Sequence, residues 1–208
     1  MDPAGGRSPL VLLVELQAPR GENERAAATA DFAAAVRELE GSVDGEVEYD
    51  LGSNGVLRAV AVRPEHAFDL ARRLAERLFP RAVAVGWGGA LEGRSGGASS
   101  PQEVAESAAR DALGVARRSR SWVVVRGLGP KDDALLTALF DLMHAVRSGW
   151  TPRQAQLVAL TRGNRQRDVA RNLGVSPSVV SESLKAARAA ALFRAEEGLL
   201  SYLTADGT

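Results

Sequence analysis

The sequence predicts an α+β chain: a ferredoxin-like sheet domain (β-α-β-β-α-β) with an added α-β unit, then an all-α helix-turn-helix domain. Three observations predict it. Short apolar or alternating runs recur between longer segments of helical spacing as far as residue 125. Their order is β-α-β-β-α-β and then α-β, and the first six describe a split βαβ sheet with two helices on one face. Past residue 130 the strand pattern stops and helical spacing with cap signals takes over. There, the twenty residues 166–185, QRDVARNLGVSPSVVSESLK, read as two short helices joined by a tight turn.

Residues 1–8 form a polar tail with glycine and proline, and 10–16 (LVLLVEL) read as a buried strand. Residues 22–39 are a helix with Phe32, Val36 and Leu39 on one face, broken by the glycines of 41–45. Residues 46–51 and 56–62 alternate apolar with polar around Gly52-Ser-Asn-Gly55, a strong hairpin signal. Residues 64–79 form an amphipathic helix carrying Phe68, Leu70, Leu74 and Leu78. A strand at 81–87 runs into glycines, and 91–100 is a Gly/Ser-rich loop. A helix at 101–117, a strand at 121–125 and a long helix at 131–147 follow. The expected domains are 1–128 for the sheet, 129–150 for a connecting helix, and 151–208 for the helix-turn-helix domain with its C-terminal helix. No repeat of 20–50 residues is present.

Within 166–185, Ala170, Gly174 and Val180 occupy the fifth, ninth and fifteenth positions. The fifth must be small because the second helix crosses close above it. The ninth opens the turn and favours a residue that tolerates φ > 0. The fifteenth is a β-branched wedge between the helices, and Val169, Leu173, Val175 and Leu184 supply the other apolar contacts. Ser176 is a good N-cap, and Pro177 suits the first helical position, where its missing N–H costs nothing. The second helix is expected from Pro177 to about Arg188. Such a unit presents its second helix to the DNA major groove; a plain helical hairpin in a bundle is the alternative.

The outward residues of that helix are Ser178, Val179, Ser181, Glu182 and Lys185. Serine bonds base edges or phosphates, valine meets a thymine methyl, glutamate accepts from cytosine, and lysine reaches guanine or phosphate. Residues 151–190 hold seven basic residues against Asp168 and Glu182, a net +5, in a chain whose 26 basic and 26 acidic residues cancel. Positive charge gathered on one segment of a neutral protein is the footprint of phosphate contact. Arg165, Arg167, Arg171 and Arg188 are the expected phosphate contacts.

Upstream, Thr151 and Pro152 open a helix as N-cap and first residue, with Gln154 at the capping-box position. Leu157, Val158 and Leu160 form its apolar face, and Gly163-Asn164 ends it. The string TPRQAQLVALTRGNRQRDVARNLGVSPSVVSESLKAAR (151–188) resembles the fourth region of sigma-70-type factors and related modules of bacterial regulators. That resemblance is specific for the module, not for an operator.

Three further places carry a second resemblance. They are LLVELQAPR (12–20), RAVAVGWGG (81–89) and Ala109-Arg-Asp-Ala-Leu113. These resemble segments of the SatD family of bacterial proteins, whose N-terminal region is similar to a reduced nucleotide cyclase or GGDEF domain and which also ends in a helix-turn-helix. In that family the first strand usually ends in Gly-Asp followed by Ser-Arg; Glu15 falls at the Asp and Arg20 at the Arg. Cyclase-like domains hold metal with further acidic residues on the following hairpin. Here the hairpin has Ser53 at an acidic position, leaving Glu15 and Asp50 nearby. Two phosphate-bridging metal ions need several converging carboxylates, so no catalytic residue, metal or cofactor is expected. The residue-level alternative for Glu15 is a strand-end group facing solvent or pairing with an arginine.

Other chemistry is thin. His66 and His144 are the sole histidines and have no second ligand at metal spacing. No Gly-x-Ser-x-Gly occurs, and Gly86-Trp-Gly-Gly89 lacks phosphate-loop spacing. Those glycines either admit a ligand to the backbone or turn the strand end. Trp150 suits a staple on the following helix, and Trp87 a core position, a pocket or a dimer face. The apolar tail 189–203 packs back on its own domain or on a second copy. With no cysteine, disulfides and thiolate metal sites are absent. The 10–16 run is too short for a secretory core and contains Glu15, and no stretch approaches the roughly 20 apolar residues of a membrane span.

The expectation is therefore a cytoplasmic DNA-binding transcriptional regulator that binds double-stranded DNA as a homodimer, with no membrane partner. Its N-terminal domain would dimerise or sense a small-molecule effector. A nucleotide-chemistry enzyme using Glu15 and Asp50, and a protein-binding adaptor, are the alternatives.

Overall fold

The computed structural model describes residues 9–17, 22–40, 47–61, 63–90 and 99–205. The chain is α+β and divides into two compact units, one ending at Asp141 and the other beginning at Leu142. The division falls inside the stretch read as the connecting helix. Arg20, the 91–98 part of the Gly/Ser-rich loop and the glycine break at 41–45 lie outside the described residues.

The first unit contains β1 (Leu10–Leu16), α1 (Glu22–Glu40), β2 (Val47–Leu51), β3 (Val56–Ala61) and α2 (Pro64–Arg77). It continues through β4 (Val83–Gly88), α3 (Pro101–Ser119), β5 (Val123–Arg126) and the first turns of α4 (Pro130–Ser148). The sheet order is β2-β3-β1-β4-β5. β1 runs antiparallel to both β3 and β4, β2 antiparallel to β3, and β5 parallel to β4. The hairpin stands where Gly52-Ser-Asn-Gly55 marks it. Gly55 takes φ 76°, Gly52 and Val56 close the turn at 3.0 Å, and Asn54 Oδ1 accepts from the Val56 N–H at 3.1 Å.

Strand alternation sorts the core. Val11, Leu13, Val60, Ala84 and Val124 pack with α3 residues Ala105, Ala109, Ala112, Leu113 and Ala116. The opposite face packs against α1 and α2. There the α4 residue Phe140 lies 5.9 Å from the Trp87 ring, 6.2 Å from Phe68 and 5.6 Å from Trp122. Trp87 is thus a core residue rather than a surface one, at 1% exposed.

The glycines of β4 have a role that neither sequence reading foresaw. Gly86 and Gly88 point at α3, and a Cβ on them would stand 2.1 Å from the Ala109 carbonyl oxygen and 1.9 Å from that of Ala105. With alanines on the facing helix, they let α3 lie directly on the strand. What approaches the backbone there is the chain's own helix.

The turn into α4 is held by side chains. Asp133 Oδ2 and Oδ1 accept from the Gly127 and Leu128 N–H groups at 3.1 and 2.9 Å. Thr137 Oγ1 accepts from Val125 on edge strand β5 at 3.0 Å, blunting an otherwise open edge.

The second unit holds the end of α4 with α5 (Pro152–Thr161), α6 (Gln166–Asn172), α7 (Pro177–Ala186) and α8 (Ala189–Ala205). Thr151 caps α5 in a capping box with Gln154, as its sequence predicts. The second helix of the predicted pair is shorter than expected. It ends at Ala186, because Arg188 turns to φ 54° and α8 starts on the next residue. The staple reading gave Trp150 a partner on α5; the hydrogen bond it makes runs from its indole N–H to the Ala187 carbonyl at 2.9 Å. No described helix is long and apolar enough to cross a membrane.

Candidate functional site

The α6–turn–α7 unit is built by local chemistry. Gly174 has φ 64°, and its N–H donates to the Arg171 carbonyl at 3.2 Å. The Val175 N–H reaches back to Ala170 O at 3.0 Å, so the paired bonds of a glycine-ended helix are both made. A Cβ on Gly174 would meet nothing within 4 Å; the glycine answers a backbone demand, not a crowding one. Ala170 and Val180 are 1% and 0% exposed, and Val169, Leu184 and Leu157 are buried with them. Ser176 caps α7, accepting from the Val179 N–H at 3.4 Å, and Pro177 follows.

Five side chains were read as facing outward on α7, and all five are exposed: Ser178, Val179, Ser181, Glu182 and Lys185. Val179 stands 46% exposed, well beyond an ordinary core valine. Ser178 differs from the rest, because its hydroxyl bonds the Ser176 hydroxyl at 2.8 Å and so belongs to the cap. Arg165, Arg167, Arg171 and Arg188 are exposed as well. Arg171 is drawn to Asp168 at 3.3 Å, in a solvated pair that a competing anion displaces at small cost. Among the described residues Arg165, Arg167, Lys185 and Arg188 enter no ion pair.

One member of the basic cluster is not available. Arg162 donates from both Nη atoms to the Glu196 carboxylate, at 2.5 and 2.8 Å, and its guanidinium lies 4.8 Å from the Phe193 ring centre. Glu196 is 5% exposed. The pair ties α5 to α8 and withdraws one positive charge from the surface. Nothing in the sequence marks it, since the partners stand 34 residues apart and Glu196 lies outside the 151–188 string.

The carboxylates weighed for metal chemistry do not converge. Glu15 pairs with Arg117 of α3, the arginine alternative of the two readings. Asp50 is exposed on β2, across β3 from β1. Their register partners on β3 are Val56 and Arg58, which puts the two Cα atoms roughly 12 Å apart at ordinary strand spacing. A cleft of about 400 Å³ opens beside Glu15, lined by Gln17, Ala82, Arg117 and Arg120 among others. Among the described residues no group of three or more His, Asp or Glu side chains is placed to hold a metal ion. His66 and His144 are half-buried and lie on separate helices, α2 and α4.

Among the described residues, α7 offers the surface that these side chains build. It is an exposed helix, capped at its start and seated on a buried wedge, with hydroxyls, a lysine and a carboxylate outward and free arginines nearby in sequence. Comparison of the chain with family models, with characterised proteins and with solved structures returns no match.

Proposed function

We propose that this chain is a DNA-binding transcriptional regulator whose C-terminal unit is a helix-turn-helix, with α7 entering the major groove. The observation that carries the reading is the pairing of inward and outward requirements on one short helix. Val180 and Leu184 are buried, while Ser178, Val179, Ser181, Glu182 and Lys185 are all presented to solvent. The free cations Arg165, Arg167, Lys185 and Arg188 suit phosphate contact, which supplies most of the affinity of such modules.

The N-terminal unit is read as ferredoxin-like, supported by its β2-β3-β1-β4 strand order and β-α-β-β-α-β connectivity, with α3 and β5 added. A relation to the SatD family and a cytoplasmic site of action belong to the same proposal. So does assembly as a homodimer, since one module makes few base contacts and useful specificity takes two half-sites. Dimerisation or sensing of a small-molecule effector is the role proposed for this unit.

The experiment is a gel shift of the full chain on genomic fragments at physiological salt with competitor DNA. A retarded subset of fragments supports the reading. Uniform failure to bind, or binding that competitor abolishes on every fragment alike, overturns it.

A further inference from the structure

Glu182 is the one acidic side chain on α7. Ser178, Glu182 and Lys185 follow one another at spacings of four and three, so they share a face and Glu182 stands at its centre. The Ser178 hydroxyl is engaged by the cap. Glu182 is exposed and, among the described residues, enters no ion pair, even with Lys185 one turn on. A free carboxylate thus sits on the outward face of α7, in a segment whose exposed cations are Arg165, Arg167, Arg171, Lys185 and Arg188.

On a phosphate-binding surface that placement is unfavourable, because the carboxylate repels every phosphate it approaches. In the major groove it is also repelled by guanine O6 and N7 and by thymine O4, which are all acceptors. Adenine offers its N6 amino group, but the acceptor N7 stands beside it. Cytosine alone carries an amino group, N4, with no acceptor on the major-groove edge of the base itself. The carboxylate therefore lowers affinity for most DNA and is compensated at one kind of base.

We propose that Glu182 is the specificity-determining residue of this surface: it accepts from the N4 amino group of a cytosine and penalises sites that lack one at that position. The inference rests on the DNA-reading role proposed for α7. Glutamine in its place carries a donor and an acceptor, which match adenine N6 and N7.

The test is selection of full-length protein on a randomised duplex library, with sequencing of the bound pool, for the wild type, E182Q and E182A. Position 182 is exposed, so both variants should fold as the parent does. The wild type is expected to select cytosine at one position of each half-site and to lose about tenfold in affinity when that base is changed. E182Q should move the preference there to adenine and leave the other positions alone. E182A should lose it, and both variants should bind unrelated duplex more tightly than the parent. If the wild type selects a motif and both variants select the same one, the inference fails while the DNA-reading role stands. If the wild type selects no motif, both fail.

Discussion

Replacing Arg162 by alanine leaves the Glu196 carboxylate facing the interior of the C-terminal unit without its partner. The side chain of Glu196 is 6% exposed and that of Arg162 20%, so water repairs the loss poorly. Removing one partner of a buried pair costs about 3–5 kcal/mol. The partial exposure of Arg162 places this case near the lower end, about 3 kcal/mol, which corresponds to roughly a hundredfold change in an opening equilibrium. Hydrogen exchange read by mass spectrometry over peptides from α5 and α8 measures that quantity locally. R162A should accelerate exchange of those amides by about that factor, and E196A by a smaller one, since it leaves a more exposed charge. The apolar double variant R162M/E196L should return to within about 1 kcal/mol of the parent, because a buried pair is worth little more than well-packed hydrocarbon. DNA binding by the double variant should be unchanged, since Arg162 is turned inward. Exchange in R162A indistinguishable from the parent would refute the burial argument.

G88A puts a methyl 1.9 Å from the Ala105 carbonyl oxygen and forces α3 off the sheet; a loss of about 3 kcal/mol or more in thermal unfolding is expected, and a neutral substitution contradicts the close-approach role. G174A meets no neighbour within 4 Å, so it should cost only the left-handed backbone penalty of about 1 kcal/mol, and a larger loss in urea unfolding would reveal an unrecognised contact. Arg77 hydrogen-bonds Glu38 and attracts its charge, holding that carboxyl below its ordinary value. The stabilisation is present above the unfolded value and lost as pH falls through the folded one; E38Q should remove a small part of the acid-side stability loss in pH-dependent unfolding.

Local chemistry was legible in the sequence and distant pairing was not. Gly174, Ser176, Thr151 and the Gly52–Gly55 turn announce themselves because their backbone demands are met by residues within a few positions. The strands followed from alternation and from the length of apolar runs, although β4 and β5 begin at Val83 and Val123, two residues later than the pattern suggests. Arg188 in a left-handed conformation was hidden, since arginine carries no preference for it and the reason lies in how α8 restarts. The purpose of Gly86 and Gly88 was equally hidden. A glycine-rich strand end looks the same whether a ligand, a turn or a neighbouring helix comes close, and α3 supplies the answer only once the sheet is assembled. Glu15 and Arg117, like Arg162 and Glu196, meet through topology, so spacing could not pair them. At the candidate surface the outward set on α7 was readable from helical period alone. The one member that period could not qualify is Ser178, whose hydroxyl is occupied by the Ser176 cap.

Contact of α7 and its arginines with the DNA backbone and groove is read from the salt dependence of binding by the parent, Arg167→Ala and Lys185→Ala on a selected duplex. The plot of log affinity against log salt should be steep for the parent and should lose about one unit of slope in Arg167→Ala, with Lys185→Ala weakened as well. A slope and affinity unchanged in both variants would contradict it.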